Sequence, residues 1–396
     1  MEQVLSLLDH PEKRFPALHI AGTNGKGSTA AMLHRILSVA GYRVGLYTSP
    51  HVVSFTERIR IGSEEISEAE VVELAGLVQD LSRKEGIPLT FFEFVTVIAL
   101  VYFTRHRVDV AVVEVGLGGR LDATNVVLPR VSMITTISKD HEAYLGSDLL
   151  SIAWEKGGII KSGIPVVCGD LPQEVGEFLQ EMAKLKGSSS YFLGRDFAFT
   201  WNEKDLFDYQ GLEWSLADLS LALRGRFQRA NAALALGALE VVHEEFPVTE
   251  AAIREGLKTV FWPGRFEVVA GEPTIILDGA HNGEGIRALV REIRDFKGQK
   301  KVVLLFAAMA DKDWPLMLRE LSAVADEFVL TRVPMERSAD PAEMAKAAPS
   351  HIPHTILSDP REAVRILLDK VAPGAVILVA GSLYLLGEVR PLVLKG

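Results

Sequence analysis

Residues 22 to 28 read Gly-Thr-Asn-Gly-Lys-Gly-Ser, which puts three glycines, a lysine and hydroxyls into one turn suited to holding a polyphosphate. Gly22, Gly25 and Gly27 allow positive φ and close backbone approach, and the first N–H groups of a following helix favour negative charge. Lys26 adds a point charge for β- and γ-oxygens, and Ser28 or Thr29 offers a hydroxyl to Mg2+. The spacing departs from the common GxxxxGK[ST] loop, because Gly27 stands between the lysine and the serine. The context fits the chemistry: Ala17 to Ala21 reads as a buried strand and Thr29 to Val39 as a helix, so the turn joins a strand end to a helix start.

Further reactive groups recur at strand ends, where α/β sheets bind ligands. Ser49 follows a second strand in Thr48-Ser-Pro-His51. Glu114 closes the strand Val110-Ala-Val-Val-Glu114, a natural ligand for a hard cation, and glycines, Arg120 and Asp122 crowd the turn after it. Asp140-His141 closes another strand, and Lys156 follows on the helix-like stretch Glu155 to Ile160.

These groups need a doubly wound scaffold, and the pattern supplies one. Strand-like segments at Arg43–Tyr47, Asp109–Val115, Val131–Ile137 and Pro165–Gly169 alternate with helical segments at Ser67–Glu85 and Asp148–Gly157. Residues 190–222 interrupt this with short aromatic and polar runs that read as a hairpin appendage, before helices at Gln228–Glu244 and Thr249–Leu257. Phe261-Trp-Pro-Gly-Arg265 then brings Pro and Gly to a composition break and reads as a hinge. Beyond it a second α/β pattern has strands at Thr274–Leu277, Lys301–Phe306, Glu327–Thr331 and Ala375–Ala380, with helices such as Glu284–Phe296 and Pro360–Val371 between them. The expectation is an N-terminal P-loop domain over residues 1–260, a hinge at 261–266 and a smaller Rossmann-like C-terminal domain over 267–396.

Composition narrows the partners. A net charge of −10 argues against a nucleic-acid or anionic-membrane footprint, so anionic ligands must be held by local sites. No apolar run approaches the length of a membrane span, and the start of the chain lacks the pattern of a secretion signal. Cys168 is the one cysteine, which excludes an intrachain disulfide and points to the cytoplasm. A monomer is expected.

In order along the chain, Gly22 to Ser28, Thr48 to His51, Ser54 to Ile61, Glu114 to Asn125, Asp140-His141, Glu155 to Ile160, Gln228 to Asn231, Trp262 to Arg265, Asp278 to Asn282, Asp311 to Asp313 and Gly381 to Gly387 resemble the folylpolyglutamate synthases and bifunctional dihydrofolate synthases of the Mur-ligase family. One departure is Gly283 after Asp278-Gly-Ala-His-Asn282, where similar enzymes commonly carry proline.

The resemblance implies an ATP-dependent amide ligase that joins L-glutamate to dihydropteroate or a folate through an acyl phosphate. It places Thr23, Asn24, Gly25, Lys26, Gly27, Ser28, Asn231, Arg265 and Asp278 at ATP, with Gln228 a weaker adenine candidate. Ser28, Ser49 and Glu114 would hold one Mg2+, and His141 with a CO2-derived carbamate on Lys156 a second. A protonated lysine beside Mg2+ is repelled and loses its proton, and the neutral amine is the form that captures CO2. Lys156, Arg265, Asp278 and His281 are then the catalytic residues, and Phe92, Glu93, Asp122, His281 and Ser382 face the other substrates. Arg265 is expected to reach the γ-phosphate when the second domain closes. Phe91, Phe92 and Phe94 read equally well as core.

Two rivals remain at this stage. A cell-wall ligase acting on a UDP-linked muramyl precursor shares the loop, the modified lysine and the hinge, yet only about twenty residues precede the loop here. A non-catalytic P-loop switch would need a guanine-reading Asn-Lys-x-Asp, and Ser138-Lys-Asp140 is not one.

Overall fold

The computed structural model describes residues 1–202 and 206–394. The chain divides into two compact units. The first comprises residues 1–51, 55–222 and 227–261, and the second 52–54, 223–226 and 262–396.

The first unit is built on strands β1 (Ala17–Ala21), β2 (Val44–Tyr47), β3 (Ile59–Ile61), β4 (Glu64–Glu65), β5 (Val110–Glu114), β6 (Pro129–Ile134), β7 (Val166–Cys168) and β8 (Ser190–Phe192). They form one sheet in the order β4-β3-β2-β5-β1-β6-β7-β8. From β2 to β8 the pairings are parallel, and β3 and β4 add an antiparallel edge. β1 and β5 are buried along their full length, as helices on both faces of a parallel sheet require.

Sequence-local signals fix the helices that flank it. Ser67 with Glu70 and Thr90 with Glu93 form reciprocal capping boxes at the starts of Glu68–Glu85 and Phe91–Arg105. Nine residues of Phe91–Arg105 are buried, and each Val, Leu, Ile or Phe among them stabilises by about 1.5–3 kcal/mol relative to exposure.

Residues 190–222 differ from the expected hairpin appendage. Ser190–Phe192 pairs in parallel with β7 and extends the main sheet, because Phe192 buries against the core of Ile134, Cys168 and Leu179. Only β9 (Ala198–Trp201), β10 (Phe207–Gln210) and β11 (Ser215–Leu219) form a separate antiparallel sheet. The strand expected at Val131–Ile137 ends at Ile134, and Thr135 onward leaves the sheet to brace the glycine loop.

The second unit has strands β12 (Glu267–Val269), β13 (Thr274–Leu277), β14 (Val302–Phe306), β15 (Glu327–Leu330), β16 (His354–Ile356) and β17 (Val376–Ala380), in the order β12-β13-β17-β14-β15-β16. β12 is an antiparallel edge that the apolar pattern did not reveal, being short and half-buried. Asn282 caps the helix Gly283–Lys297 by accepting the N–H of Gly285. The fold class is the expected α/β one, with a P-loop sheet followed by a smaller Rossmann-like sheet.

Candidate active site

The glycine loop runs from the end of β1 into the helix Lys26–Val39, with Gly25 as its left-handed N-cap at φ 89°. Two glycines are obligatory there. A Cβ on Gly22 (φ 146°) would collide with Thr135 Oγ1, and one on Gly25 would lie 2.4 Å from Asn231 Oδ1. The loop is held by the segment after β6: Thr23 N–H donates to Thr136 O at 2.8 Å, Asn24 N–H to Thr136 Oγ1 at 3.1 Å, and Thr135 Oγ1 to Asn24 O at 2.6 Å. Thr23 Oγ1 donates to Ser138 O and accepts from Ser138 N–H, both at 3.1 Å. The loop is thus shaped by the protein itself. Sequence reasoning missed this brace, although the hydroxyl run Thr135-Thr-Ile-Ser138 was its signal.

Lys26 folds back over the loop and donates to Gly22 O at 3.1 Å and Thr23 O at 3.2 Å. Lys156, near the end of the helix Leu149–Gly157, donates to the same Gly22 O at 2.8 Å. Only 5% of Lys156 is exposed, with its amine turned onto the glycine loop. Burial, reinforced by the charge of Lys26, pulls its pKa down to about 7, while Asp140 and Asp122 act in the opposite direction.

Glu114 ends β5 beside Ile20 of β1, is buried, and accepts the backbone N–H of Ser49 at 3.2 Å. Ser28 and Thr29 are buried on the first turn of the Lys26–Val39 helix, and Thr29 Oγ1 has no hydrogen-bond partner among the described residues. His141 sits at φ 52°, its backbone N–H on Asp140 Oδ1 at 2.9 Å and its ring Nε2 3.9 Å from the same oxygen. Among the described residues no group of three or more His, Cys, Asp or Glu side chains is placed to hold a metal by itself. The hydroxyl and carboxylate donors of Ser28, Ser49 and Glu114 nevertheless fit a hard cation that takes its remaining ligands from phosphate and water.

Asn231, on the helix Arg226–Val241, is buried against Gly25 and donates from Nδ2 to Gln228 Oε1 at 3.0 Å. Gln228 is fully buried, and its Nε2 has no partner among the described residues.

A second cluster gathers around the turn that follows β5. Phe92 stacks on Tyr47 with ring centroids 6.0 Å apart and presses against Gly116. Phe91, by contrast, is 66% exposed and is not core. Glu93 accepts the N–H and hydroxyl of Thr90, each at 2.8 Å, so its carboxylate fixes the helix that carries Phe92. Asp122 accepts from Leu117 N–H at 2.9 Å, Thr124 N–H at 3.0 Å and Thr124 Oγ1 at 2.6 Å, and burial raises its pKa against these bonds.

In the second unit, Arg265 lies between Gly264 (φ 66°) and Phe266 (φ 47°). Asp278 shapes that turn. It is buried just after β13, and its Oδ2 accepts Phe266 N–H and its Oδ1 Ala280 N–H, both at 2.8 Å. Burial raises its pKa, and the Arg265 charge works against that rise. His281 Nδ1 meets Gly279 O at 2.8 Å, which makes Nδ1 the protonated nitrogen. Ser382 is buried as the N-cap of the helix Leu383–Val393 and accepts Tyr384 N–H at 3.2 Å.

The comparisons with known proteins agree with one another. Residues 20–239 match the Mur ligase middle domain and residues 264–383 the Mur ligase glutamate ligase domain. The dihydrofolate synthase/folylpolyglutamate synthase of Bacillus subtilis (strain 168) is 35% identical over 403 residues, covering 98% of this chain and 93% of its own. Escherichia coli FolC, solved in complex with DHPP and ADP, is similar with a TM-score of 0.92 and 31% identity over 99% of this chain and 92% of that one. The bifunctional folylpolyglutamate synthase/dihydrofolate synthase of Yersinia pestis CO92, solved with AMPPNP and Mn ion, gives a TM-score of 0.90 and 36% identity over 99% and 92% of the two chains.

Proposed function

The chain belongs to the Mur ligase family, within its folylpolyglutamate and dihydrofolate synthases, and from that premise we propose how its residues share the reaction. It is an ATP-dependent ligase that adds L-glutamate to folate-type acceptors. In the proposed course the acceptor carboxylate attacks the γ-phosphorus and ADP leaves with the bridging oxygen. The glutamate amine then attacks the acyl carbon, expels phosphate and loses a proton.

Two anions at 4 Å repel by about 4 kcal/mol at an effective dielectric near 20. Lys26, the first-turn N–H groups after Gly25 and Arg265, from the proposed hinge at 261–266, are the groups assigned to offset that repulsion. Asp278 sets the turn from which Arg265 projects. Asn231 and Gln228 are assigned to the nucleotide base, with Thr23, Asn24 and Gly27 lining the phosphates. His281 and Ser382 are assigned to the incoming glutamate, and Phe92 and Asp122 to the pterin end of the acceptor.

Ser28, Ser49 and Glu114 would hold Mg2+ on ATP, and His141 with a Lys156 carbamate a second ion. When bound, these ions neutralise phosphate charge and orient the γ-phosphate. The carbamate arises when the neutral Lys156 amine bonds to the carbon of CO2 and releases a proton. The observation that carries the reading is that amine: buried, hydrogen-bonded to the glycine loop itself, and with its pKa pulled down to about 7 by burial. Cytoplasmic location and a monomeric state belong to the same proposal, tested by fractionation and by sizing in solution.

The deciding experiment measures ADP release with ATP·Mg2+ and L-glutamate, offering dihydropteroate and a tetrahydrofolate monoglutamate separately. Turnover with both supports dual activity, turnover with one reduces it to a single activity, and turnover with neither refutes the acceptor assignment.

A further inference from the structure

His19 occupies the middle of β1, in register with Val113 of β5 and Ser132 of β6, and is fully buried. The other four residues of that strand are alanine, leucine and isoleucine. Its Nε2 lies 2.8 Å from Thr124 Oγ1, and Thr124 Oγ1 donates to Asp122 Oδ1 at 2.6 Å. A hydroxyl has one proton, so Thr124 must accept from the ring. Burial, with the charge of Lys161 as a lesser cause, holds the pKa of His19 down to about 3, so the ring is neutral and its single proton is on Nε2. Nδ1 is then a bare acceptor, and it has no partner among the described residues.

A buried bare acceptor is unfavourable, so an apolar side chain would serve the strand better. What the histidine contributes is the Nε2–H. Asp122 also receives backbone N–H groups from Leu117 and Thr124, whose directions the chain fixes. The Thr124 hydroxyl is the donor that rotates, and His19 holds its lone pairs so that its proton points at Asp122.

We infer that His19 is a positioning residue for substrate binding, acting through the Thr124 hydroxyl to set the Asp122 carboxylate against the pterin end of the acceptor. The inference rests on the assignment of Asp122 to that acceptor. The hydrogen bonds that link His19, Thr124 and Asp122 include none to the nucleotide loop, so loss of the relay is expected in acceptor binding more than in ATP binding.

The test is steady-state kinetics of the full chain with dihydropteroate or tetrahydrofolate monoglutamate varied at saturating ATP, and the reverse. Expected for His19→Met is a rise of about tenfold in acceptor KM with ATP KM unchanged within twofold, the size of one lost charge-assisted hydrogen bond. Thr124→Val should match it, His19→Met/Thr124→Val should add nothing further, and His19→Gln and Thr124→Ser, which keep a donor and a hydroxyl, should recover most of the affinity. Equal rises in acceptor and ATP KM, or no change, in His19→Met and Thr124→Val would overturn the relay. If His19→Met does not fold, the Thr124→Val and Thr124→Ser pair decides by the same criterion. Asp122→Asn is the control. Unchanged acceptor KM in that variant refutes the Asp122 assignment, whereas a raised value beside unchanged relay variants refutes the role of His19 alone.

Discussion

Lys26 and Lys156 donate to one acceptor: the carbonyl oxygen of Gly22 lies 3.1 Å from Lys26 Nζ and 2.8 Å from Lys156 Nζ. Two protonated amines around one oxygen repel each other, and the more buried of the two yields. Lys156 is 5% exposed and its pKa falls to about 7, partly through the charge of Lys26. The loop therefore lies against a buried amine that changes charge near neutral pH.

That arrangement destabilises the fold when Lys156 is charged. Its folded pKa of about 7 lies below the ordinary 10.5, so between these values the unfolded chain binds more protons and stability rises with pH. Below pH 7 the cost is fully present, roughly 5 kcal/mol. Lys156→Met, which fills the same space without charge, is expected to abolish turnover yet raise the unfolding midpoint at pH 6–7, with the gain vanishing toward pH 10. Denaturant unfolding at pH 6, 8 and 10 checks this. A variant less stable than the parent at every pH counts against it.

Carbamate formation needs the same neutral amine. Activity is expected to fall as pH drops through about 7 and to recover in part when bicarbonate is added. In CO2-depleted buffer the enzyme should slow at all pH values, and Lys156→Ala should regain some turnover with small carboxylates. Mass spectrometry that finds Lys156 unmodified in fully active, bicarbonate-equilibrated protein removes the carbamate from the mechanism.

Lys26→Met removes the ammonium that lies over the loop. A loss of about 10²–10³ in kcat is expected, the scale of one deleted transition-state donor. The Lys156 pKa should also rise, because Lys26 is one of the groups that lowers it. The acid limb of any residual activity then moves to higher pH, and an unmoved limb would separate the two lysines.

Gly25→Ala combines a left-handed φ of 89° with a Cβ 2.4 Å from Asn231 Oδ1. Strain of about 1–3 kcal/mol at this position distorts the loop, so nucleotide affinity should fall by about ten- to a hundredfold. Measured against Asn231→Ala as the parent, Gly25→Ala should cost less than in the native chain, because the contact is gone and only the φ strain remains. Titration with ADP measures both.

Asp278→Ala leaves the N–H groups of Phe266 and Ala280 buried without their acceptor, at about 1–3 kcal/mol each. The turn carrying Arg265 loosens, so kcat is expected to drop with ATP KM changed less than threefold. A rise in ATP KM equal to the drop in kcat would instead place Asp278 in ground-state nucleotide binding.

The glycine loop, its strand and its helix were legible because each depends on nearby residues. Glycine and lysine at Gly22–Ser28 carry their conformational and charge preferences with them, and the apolar strand Ala17–Ala21 and the capping residue Ser67 act within a few positions. The order of such local signals also announced two α/β sheets, and the ligase chemistry came from the resemblance of the motifs to those of a known family. What the sequence could not determine is which polar groups the fold buries together. Lys156 meets Gly22 across 134 positions, His19 meets Thr124 across 105, and Thr135 reaches Asn24 across 111. Burial, tautomer and pKa are properties of those encounters, because desolvation and hydrogen-bond direction arise only when the sheet brings distant segments within about 3 Å. For the same reason the lysine of a helical stretch became a buried amine, and a histidine in an apolar strand became the donor to a threonine hydroxyl.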